Sequence, residues 1–130
     1  MLTQSLEDYL EAIKILQAEK GIARVKDIGR FLKVTNPSVV SALSILSRDG
    51  YVEHEKYGHV ELTPKGRKEA GKVHKKHKAI VKFLTQTLKI PPEIARKDAC
   101  RIEHVISRET YEKILAASEE KQKANNDAIV

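Results

Sequence analysis

Tryptophan is absent from the 130-residue sequence, cysteine occurs once, and aromatic residues make up only 5% of the chain. A single cysteine cannot form a disulfide within the chain, which is typical of proteins in reducing compartments. No apolar run approaches the roughly 18 residues that a membrane span requires. The N-terminal stretch MLTQSLEDYLEAIK lacks the basic start and apolar centre of a signal peptide. We therefore expect a cytoplasmic protein with no membrane partner.

Several motifs of common enzymes and zinc-binding folds are also missing. The sequence has no paired CxxC or HxxxH spacing of a structural zinc finger and no HExxH of zinc peptidases. It has neither a phosphate-cradling glycine loop nor a nucleophile elbow. These absences remove the sequence signatures of those classes. We expect a protein that is not an enzyme and has no small-molecule substrate.

Positive charge is concentrated in one segment. The formal net charge is +6, and residues 64–82 carry 8 basic residues against 1 acidic residue. The remainder of the chain is close to neutral, so nearly all the excess lies in this segment. A lysine-rich run can be a solvated helix face, or it can face nucleic acid and displace counterions from phosphates. Charge alone leaves both interpretations open.

The N-terminal half has the pattern of a helix followed by a helix-turn-helix. SLEDYLEAIKILQAEKG predicts a helix that Ser5 caps and Gly21 ends. VKDIGRFLK and VTNPSVVSALSILSRDG predict two short helices joined by a tight turn, with Thr35 or Asn36 as the cap of the second. The inward stripe of that second helix is predicted at three positions, namely Val40, Leu43 and Leu46.

A hairpin and three further helices are predicted next. YVEHEKYGHVELT alternates apolar and polar residues about a turn at Tyr57–Gly58, which predicts the wing of a winged helix. A long helix begins at Pro64 behind the cap Thr63 and runs to about Leu88. Two more helices follow Pro91–Pro92, and fraying is predicted from about Lys121. The fold class is thus mainly α, with a winged-helix domain over residues 1–72 and a helical domain over residues 73–130.

Side chains of metal-ligand type recur at helical spacing. The stretch ARKDACRIEHVIS places Cys100, Glu103 and His104 at i, i+3 and i+4, and we predict that they share one helix face. Asp8 and Glu11 share a face of the first helix. His77 lies on the apolar stripe of the long helix. Singly, these residues could be caps, solvated carboxylates or core side chains, but together they predict a divalent transition-metal site.

The chain resembles the diphtheria-toxin-repressor family of metal-dependent transcriptional regulators, and within it the short manganese-transport-regulator branch. The resemblance covers roughly residues 4–118. Four stretches carry it: SLEDYLEAI, NPSVVSALSILSRDGYV, LTPKGRKEA and CRIEH. It implies a homodimer in which each protomer joins a winged-helix DNA-binding part to a helical dimerisation part. It also implies that bound metal favours binding to double-stranded DNA operators of metal-uptake genes.

The resemblance also implies which residues hold the metal between the two parts. The implied ligand set is Asp8, Glu11, His77, Cys100, Glu103 and His104. Cys100 stands where the manganese branch has glutamate and the iron branch has cysteine, whereas Asp8 follows the manganese branch. Because sulfur is softer than oxygen, we expect Fe²⁺ as the effector, with Mn²⁺ second. Val81 and Arg96 replace ancillary ligands of the iron branch, so a second site of that type is not expected.

The start of the second helix of the helix-turn-helix is the expected DNA-reading element. Hydroxyl groups there can bond to phosphates or base edges, and proline can contact a thymine methyl. The candidate DNA-binding residues are Thr35, Pro37, Ser38 and Ser41, with Lys33, Lys56 and Lys65 as phosphate anchors. Two alternatives remain: a winged-helix regulator without a metal effector, and a small metalloenzyme with Glu103 as base.

Overall fold

The computed structural model describes residues 2–55 and 58–129, with side chains described up to Ser118. It is mainly helical with one small sheet, as predicted. The elements are α1 (Gln4–Lys20), β1 (Ala23–Arg24), α2 (Val25–Leu32), α3 (Asn36–Arg48), β2 (Val52–His54), β3 (His59–Leu62), α4 (Pro64–Gln86), α5 (Pro92–Ile102) and α6 (Arg108–Ile129). The chain divides into two compact units, Met1–Val73 and His74–Val130.

The first unit contains the predicted helix-turn-helix. Helix α2 ends at Lys33, whose left-handed backbone (φ 59°) turns the chain toward α3. Thr35 caps α3 by accepting a hydrogen bond from the Ser38 amide at 3.3 Å. A Cβ on Gly29 would lie 3.1 Å from the Val34 carbonyl oxygen, so a side chain at position 29 would crowd the turn. The tight turn therefore depends on the left-handed backbone at Lys33 and on the absence of a side chain at Gly29.

The inward face of α3 differs from the prediction at three positions. Val39, Ala42, Leu43 and Leu46 are buried, whereas Val40 is 49% exposed. The prediction that Val40 points inward is wrong. Val39 and Val40 are adjacent, and each is three or four residues from Leu43, so helical spacing alone fits either valine to the buried stripe. The small Ala42 completes the buried stripe, and sequence reasoning overlooked it.

The buried apolar residues of the first unit, those of α3 included, form one core among α1, α2, α3 and the sheet. Helix α1 is capped by Thr3, which accepts from the Leu6 amide at 3.2 Å, so the predicted cap Ser5 is wrong. Gly21 ends the helix in the left-handed conformation, as predicted. The core cluster includes Leu10, Ile13, Leu16, Ile28, Leu43, Leu46, Val52 and Val60.

The predicted wing is an antiparallel hairpin. Strand β2 pairs with β3 in the register Val52–Leu62 and His54–Val60. Strand β1, which was not predicted, pairs with the other edge of β3 and completes a three-stranded sheet. Two predicted features, Tyr57 in the turn and the candidate phosphate anchor Lys56, lie outside the described residues.

The first turn of α4 packs against the chain that follows α3. The Thr63 hydroxyl caps α4 by accepting from the Gly66 amide at 3.1 Å, and it donates to the Gly50 carbonyl at 2.6 Å. A Cβ on Gly66 would meet the Tyr51 carbonyl oxygen at 1.9 Å. This close backbone approach positions the hairpin beside the start of α4.

The second unit consists of the C-terminal part of α4 together with α5 and α6. Its core contains Ile80 and Leu84 from α4 and Ala95 and Ala99 from α5. Helix α6 begins behind Ser107, whose hydroxyl accepts from the Thr110 amide at 3.1 Å. The backbone of α6 stays helical to Ile129, so the predicted fraying from Lys121 is wrong. Helix α5 ends at Ile102, earlier than predicted, and Glu103 is its C-terminal cap.

Candidate metal centre and nucleic-acid interface

Three predicted ligands from two helices of the second unit converge. His77 Nδ1 on α4 lies 2.8 Å from Glu103 Oε2, and Cys100 Sγ on α5 lies 3.9 Å from the same nitrogen. One donor atom from each of the three residues falls within 4.8 Å of the other two. A nitrogen, a sulfur and an oxygen donor thus meet at one point of this unit, although 23 residues separate His77 from Cys100.

The carboxylate of Glu103 is the most deeply buried charged group of the cluster. The residue is 2% exposed, and its second oxygen, Oε1, lies 3.3 Å from His104 Nε2. Within the described part of the chain Oε1 makes no hydrogen bond. Burial of a carboxylate is costly unless cations or donors compensate it. Glu103 therefore lies between two imidazoles and retains an oxygen that can accept a further positive partner.

His104 departs from the predicted helix geometry. It follows the end of α5 in a turn, so it does not continue the helical face of Cys100. Its imidazole is fully buried and lies near Glu103 Oε1, whereas His77 lies near Oε2 of the same carboxylate. The prediction that all three side chains emerge from one helix face is therefore wrong for His104, because the helix ends before it.

The cluster shifts the protonation equilibrium of its histidine. Hydrogen bonding to the Cys100 sulfur and then to Glu103 raises the pKa of His77 to about 10, against a partial opposing effect of burial. Both partners favour a positive charge on the imidazole. In the metal-free protein a proton thus supplies the positive charge that the cluster favours, and metal binding would release that proton.

The donor set fits a divalent transition metal. Metal–ligand bonds of about 2.0–2.3 Å hold donor atoms within roughly 4.6 Å of one another, which is close to the spread of these three. Imidazole suits iron, cobalt, nickel and zinc, and a thiolate favours the softer ions among them. His77, Cys100 and Glu103 could therefore hold such an ion after modest adjustment of their side chains.

Asp8 and Glu11, the other two predicted ligands, belong to the first unit. Both lie on α1, three residues apart, as the sequence predicts. Glu11 is buried and Asp8 is half-buried. A carboxylate inside an apolar helical core needs a positive or hydrogen-bonding partner. The side chains are therefore chemically suited to share a cation.

The positions of the ancillary ligands line a cationic cavity instead. This cavity of about 350 Å³ in the second unit is lined by His74, His77, Lys78, Val81, Lys82, Gln86 and Arg96. No carboxylate lines it among the described residues, and Lys78, Lys82 and Arg96 would repel a cation. The absence of a second metal site of that type stays a prediction.

The candidate DNA-binding residues surround the start of α3. Thr35, Pro37, Ser38 and Ser41 are all exposed. The Thr35 hydroxyl is engaged in the cap and lies 2.9 Å from the Ser38 hydroxyl, so the two act as a pair. Pro37, Ser38 and Ser41 also line a groove of about 560 Å³ with Tyr9 of α1 and its cap Thr3. Sequence reasoning did not find this groove, because it depends on how α1 crosses α3.

The two described lysines are placed differently from each other. Lys33 is exposed at the turn of the helix-turn-helix. Lys65 is exposed but held in place: its ammonium donates to the Asp49 carbonyl at 2.9 Å and lies 4.3 Å from the centre of the Tyr51 ring.

Among the helices of the described residues, none has both the length and the apolar character that a membrane span requires.

Two family models match consecutive parts of the chain. Residues 1–60 match the model described as the iron dependent repressor N-terminal DNA binding domain. Residues 63–124 match the model described as the iron dependent repressor metal binding and dimerisation domain. Together they span both units.

Similar curated proteins carry regulator names. The HTH-type transcriptional regulator MntR of Geobacillus kaustophilus is 40% identical over 114 residues, which cover 88% of this chain and 80% of that protein. MntR of Lysinibacillus sphaericus is 38% identical over 114 residues, with 88% and 81% coverage.

Similar solved structures confirm the fold over most of the chain. The structure named T. acidophilum IdeR has a TM-score of 0.78 at 32% identity, and the match covers 85% of this chain and 52% of the IdeR chain. The manganese regulator SloR has a TM-score of 0.73 at 28% identity, with 84% and 51% coverage. This chain thus spans about half the length of both solved chains.

Proposed function

Because the chain belongs to the iron-dependent repressor family of metal-dependent, DNA-binding transcriptional regulators, we propose that it represses metal-uptake genes when a divalent ion binds. The observation that carries this proposal is the convergence of His77, Cys100 and the buried Glu103 in the second unit. The family consists of regulators, which excludes the metalloenzyme alternative. The family's own metal and dimerisation domain matches the part of the chain that contains this cluster.

The proposed ligand set draws on both units. Four ligands come from the second unit: His77, Cys100, Glu103 and His104. Asp8 and Glu11 on α1 complete the set, in agreement with the burial of Glu11. The bound ion would supply the positive charge that lets these carboxylates and the thiolate share one site. We assign DNA binding to residues 1–72 and metal binding with dimerisation to residues 73–130.

The proposed switch follows from the sharing of ligands between α1 and the second unit. Dimeric winged-helix proteins bind paired half-sites, so the spacing of their two α3 helices determines operator affinity. Ligands that join α1 to the dimerisation part would favour one such spacing in a homodimer. In the absence of metal the carboxylates of the set would repel one another, and the favoured spacing would be less populated.

The proposed effector is Fe²⁺, with Mn²⁺ second. The Cys100 sulfur supports this order because thiolates favour softer ions than Mn²⁺. The family model is described as iron dependent, whereas the solved relative SloR is named a manganese regulator. The protein is proposed to act in the cytoplasm on double-stranded DNA. Its proposed contacts are Thr35, Pro37, Ser38, Ser41, Lys33, Lys56 and Lys65.

DNA titrations with and without metal test the function. Duplexes are first selected from a random pool by the protein with Mn²⁺ or with Fe²⁺ under anaerobic conditions. Affinity for the selected duplex is then compared between each ion and a chelator at one salt concentration. A typical coupling energy predicts about a 5–150-fold gain with metal. If the affinities with metal and with chelator were equal, the alternative would hold, and the protein would be a winged-helix regulator that has no metal effector.

A further inference from the structure

The exposed face of α3 carries an aliphatic side chain that is not among the proposed DNA contacts. Val40 is 49% exposed, although its neighbour Val39 is fully buried. Pro37, Val40, Ser41 and Ser44 are all exposed and follow the spacing i, i+3, i+4 and i+7. They form one stripe on the side of the helix opposite the core.

The chemistry of this stripe is restricted to aliphatic groups and hydroxyls, and Val40 alone supplies methyl groups. None of its members is charged, and the only charged residue of α3 is Arg48 in its last turn. The stripe therefore has no arginine or lysine for bidentate contact with guanine. In the major groove, thymine alone presents a methyl group, and aliphatic side chains are its usual partners.

The surroundings of Val40 favour a nucleic acid over a protein as its partner. From Val25 to Arg48 the chain has four basic residues, all exposed: Lys26, Arg30, Lys33 and Arg48. Arg48 pairs with Asp49 at 3.2 Å, which leaves Lys26, Arg30 and Lys33 as the positive charges of this segment. The only acidic residue of that segment, Asp27, already pairs with Lys20 at 3.4 Å. An apolar side chain on a stripe with hydroxyls, within a helix-turn-helix segment of net positive charge, is complementary to a methyl-bearing base edge beside phosphates.

We infer that Val40 is a specificity-determining residue that contacts a thymine methyl in each operator half-site. The inference rests on the proposed function, because it requires α3 to enter the major groove. Val40 lies in the N-terminal half of α3, the part of a recognition helix that contacts base edges. It follows that the preferred half-site contains a thymine whose methyl group, rather than its hydrogen-bonding edge, is recognised.

Deoxyuridine substitution tests this contact directly, because it removes the methyl group and leaves base pairing intact. Each thymine of the selected duplex is replaced in turn, and affinity is measured with saturating Mn²⁺ at fixed salt. At the thymine that Val40 contacts, we expect roughly a fourfold loss, as the burial of one methyl-sized group implies. Val40→Ala should abolish the difference between thymine and deoxyuridine at that position alone.

The control variants separate recognition from folding. Ile22→Ala changes another exposed aliphatic residue of the same unit, 41% exposed, and should leave every thymine–deoxyuridine difference unchanged. Val40→Thr keeps the branched shape and one methyl, so it should restore part of the discrimination. The urea midpoint of Val40→Ala should match the wild type, because the removed methyls are half-exposed and alanine favours helix.

The outcomes distinguish this inference from the function on which it rests. Metal-dependent selection without any effect of deoxyuridine would overturn the role of Val40 and leave the proposed function intact. A deoxyuridine effect that persists in Val40→Ala would assign the methyl contact to another residue and also overturn it. Failure to select any duplex with either ion would overturn the proposed function and this inference together.

Discussion

Cys100 is the residue that most affects the proposed choice of metal. Its sulfur is 3.9 Å from His77 Nδ1 and replaces the oxygen that a glutamate would provide. Cys100→Glu should shift the affinity ratio of Fe²⁺ to Mn²⁺ toward Mn²⁺ by about tenfold or more, because a hard oxygen replaces a soft sulfur. Competition titrations against a metallochromic indicator would measure the ratio.

Cys100→Ser is the matched control for that change. It removes the sulfur without adding a carboxylate, so it should weaken binding of both ions and gain nothing for Mn²⁺. Titration with Co²⁺ gives an independent measurement, since a sulfur ligand produces a near-ultraviolet charge-transfer band that both variants should lose. An unchanged ratio in Cys100→Glu would show that the sulfur does not select the ion.

His77 makes the stability of the metal-free protein depend on pH. The Cys100 sulfur and Glu103 raise the pKa of His77 from 6.5 to about 10, so the folded state binds this proton more tightly than the unfolded state does. The resulting stabilisation is complete below about pH 6.5 and is lost as the pH rises through about 10. With chelator present, the urea midpoint should therefore fall across that range.

Replacing the histidine isolates its contribution. His77→Gln keeps a polar side chain but cannot take up the proton, so its urea midpoint should fall less over the same pH range. His59→Gln, on strand β3 and outside the cluster, should keep the wild-type dependence. If the wild type and His77→Gln lost stability in parallel, the raised pKa would not contribute to folding.

At the scale of elements, the junction between the hairpin and α4 depends on one glycine. A Cβ at Gly66 would lie 1.9 Å from the Tyr51 carbonyl oxygen, whereas one at Gly71 on the same helix would meet nothing within 4 Å. Gly66→Ala should lower the free energy of unfolding by about 1–3 kcal/mol or more, because a backbone must move. Gly71→Ala should raise it by about 0.5–1 kcal/mol, the usual gain in a helix interior.

Urea unfolding followed by circular dichroism compares the two alanine variants on one helix. Both variants make the same change from glycine to alanine on one helix, so the clash at position 66 should dominate the difference between them. A Gly66→Ala protein as stable as Gly71→Ala would show that the approach of Tyr51 to α4 is not required for the fold.

At the scale of the whole molecule, the proposed switch requires ligands from both units. Glu11→Gln on α1 leaves the cluster of His77, Cys100 and Glu103 intact. If Glu11 shares the ion, the variant should lose most of the proposed 5–150-fold gain in DNA affinity on metal addition, while its affinity with chelator stays unchanged. Fluorescence anisotropy with labelled duplex, with and without Mn²⁺, would measure both affinities.

Glu19→Gln is the matched control, since it removes one carboxylate from an exposed position near the C-terminal end of α1. It should keep the full response to metal. A Glu11→Gln protein that also kept the full response would limit the site to the second unit, and the proposed coupling through α1 would be wrong.

Local signals in the sequence determined the family, the fold class and the order of most elements. Proline at the start of α5, the hydroxyl caps Thr35 and Thr63, and Gly21 at the end of α1 act through neighbouring backbone, so their effect can be predicted from sequence. The two-residue strand β1 could not be predicted from sequence, because it forms only when β3 provides an edge for pairing. Likewise, adjacent Val39 and Val40 satisfy two apolar stripes, and only packing against the core selects Val39.

The sequence by itself determined which ligand types this protein has and which helices carry most of them. Only the tertiary structure decided that α4 and α5 bring His77 within 2.8 Å of Glu103, that Glu103 is buried, and that His104 lies near its other oxygen. Side-chain spacing along one helix is set by local backbone geometry. Distances between helices, and the hydrogen bonds between them that raise the pKa of His77, are set by packing among residues far apart in the chain.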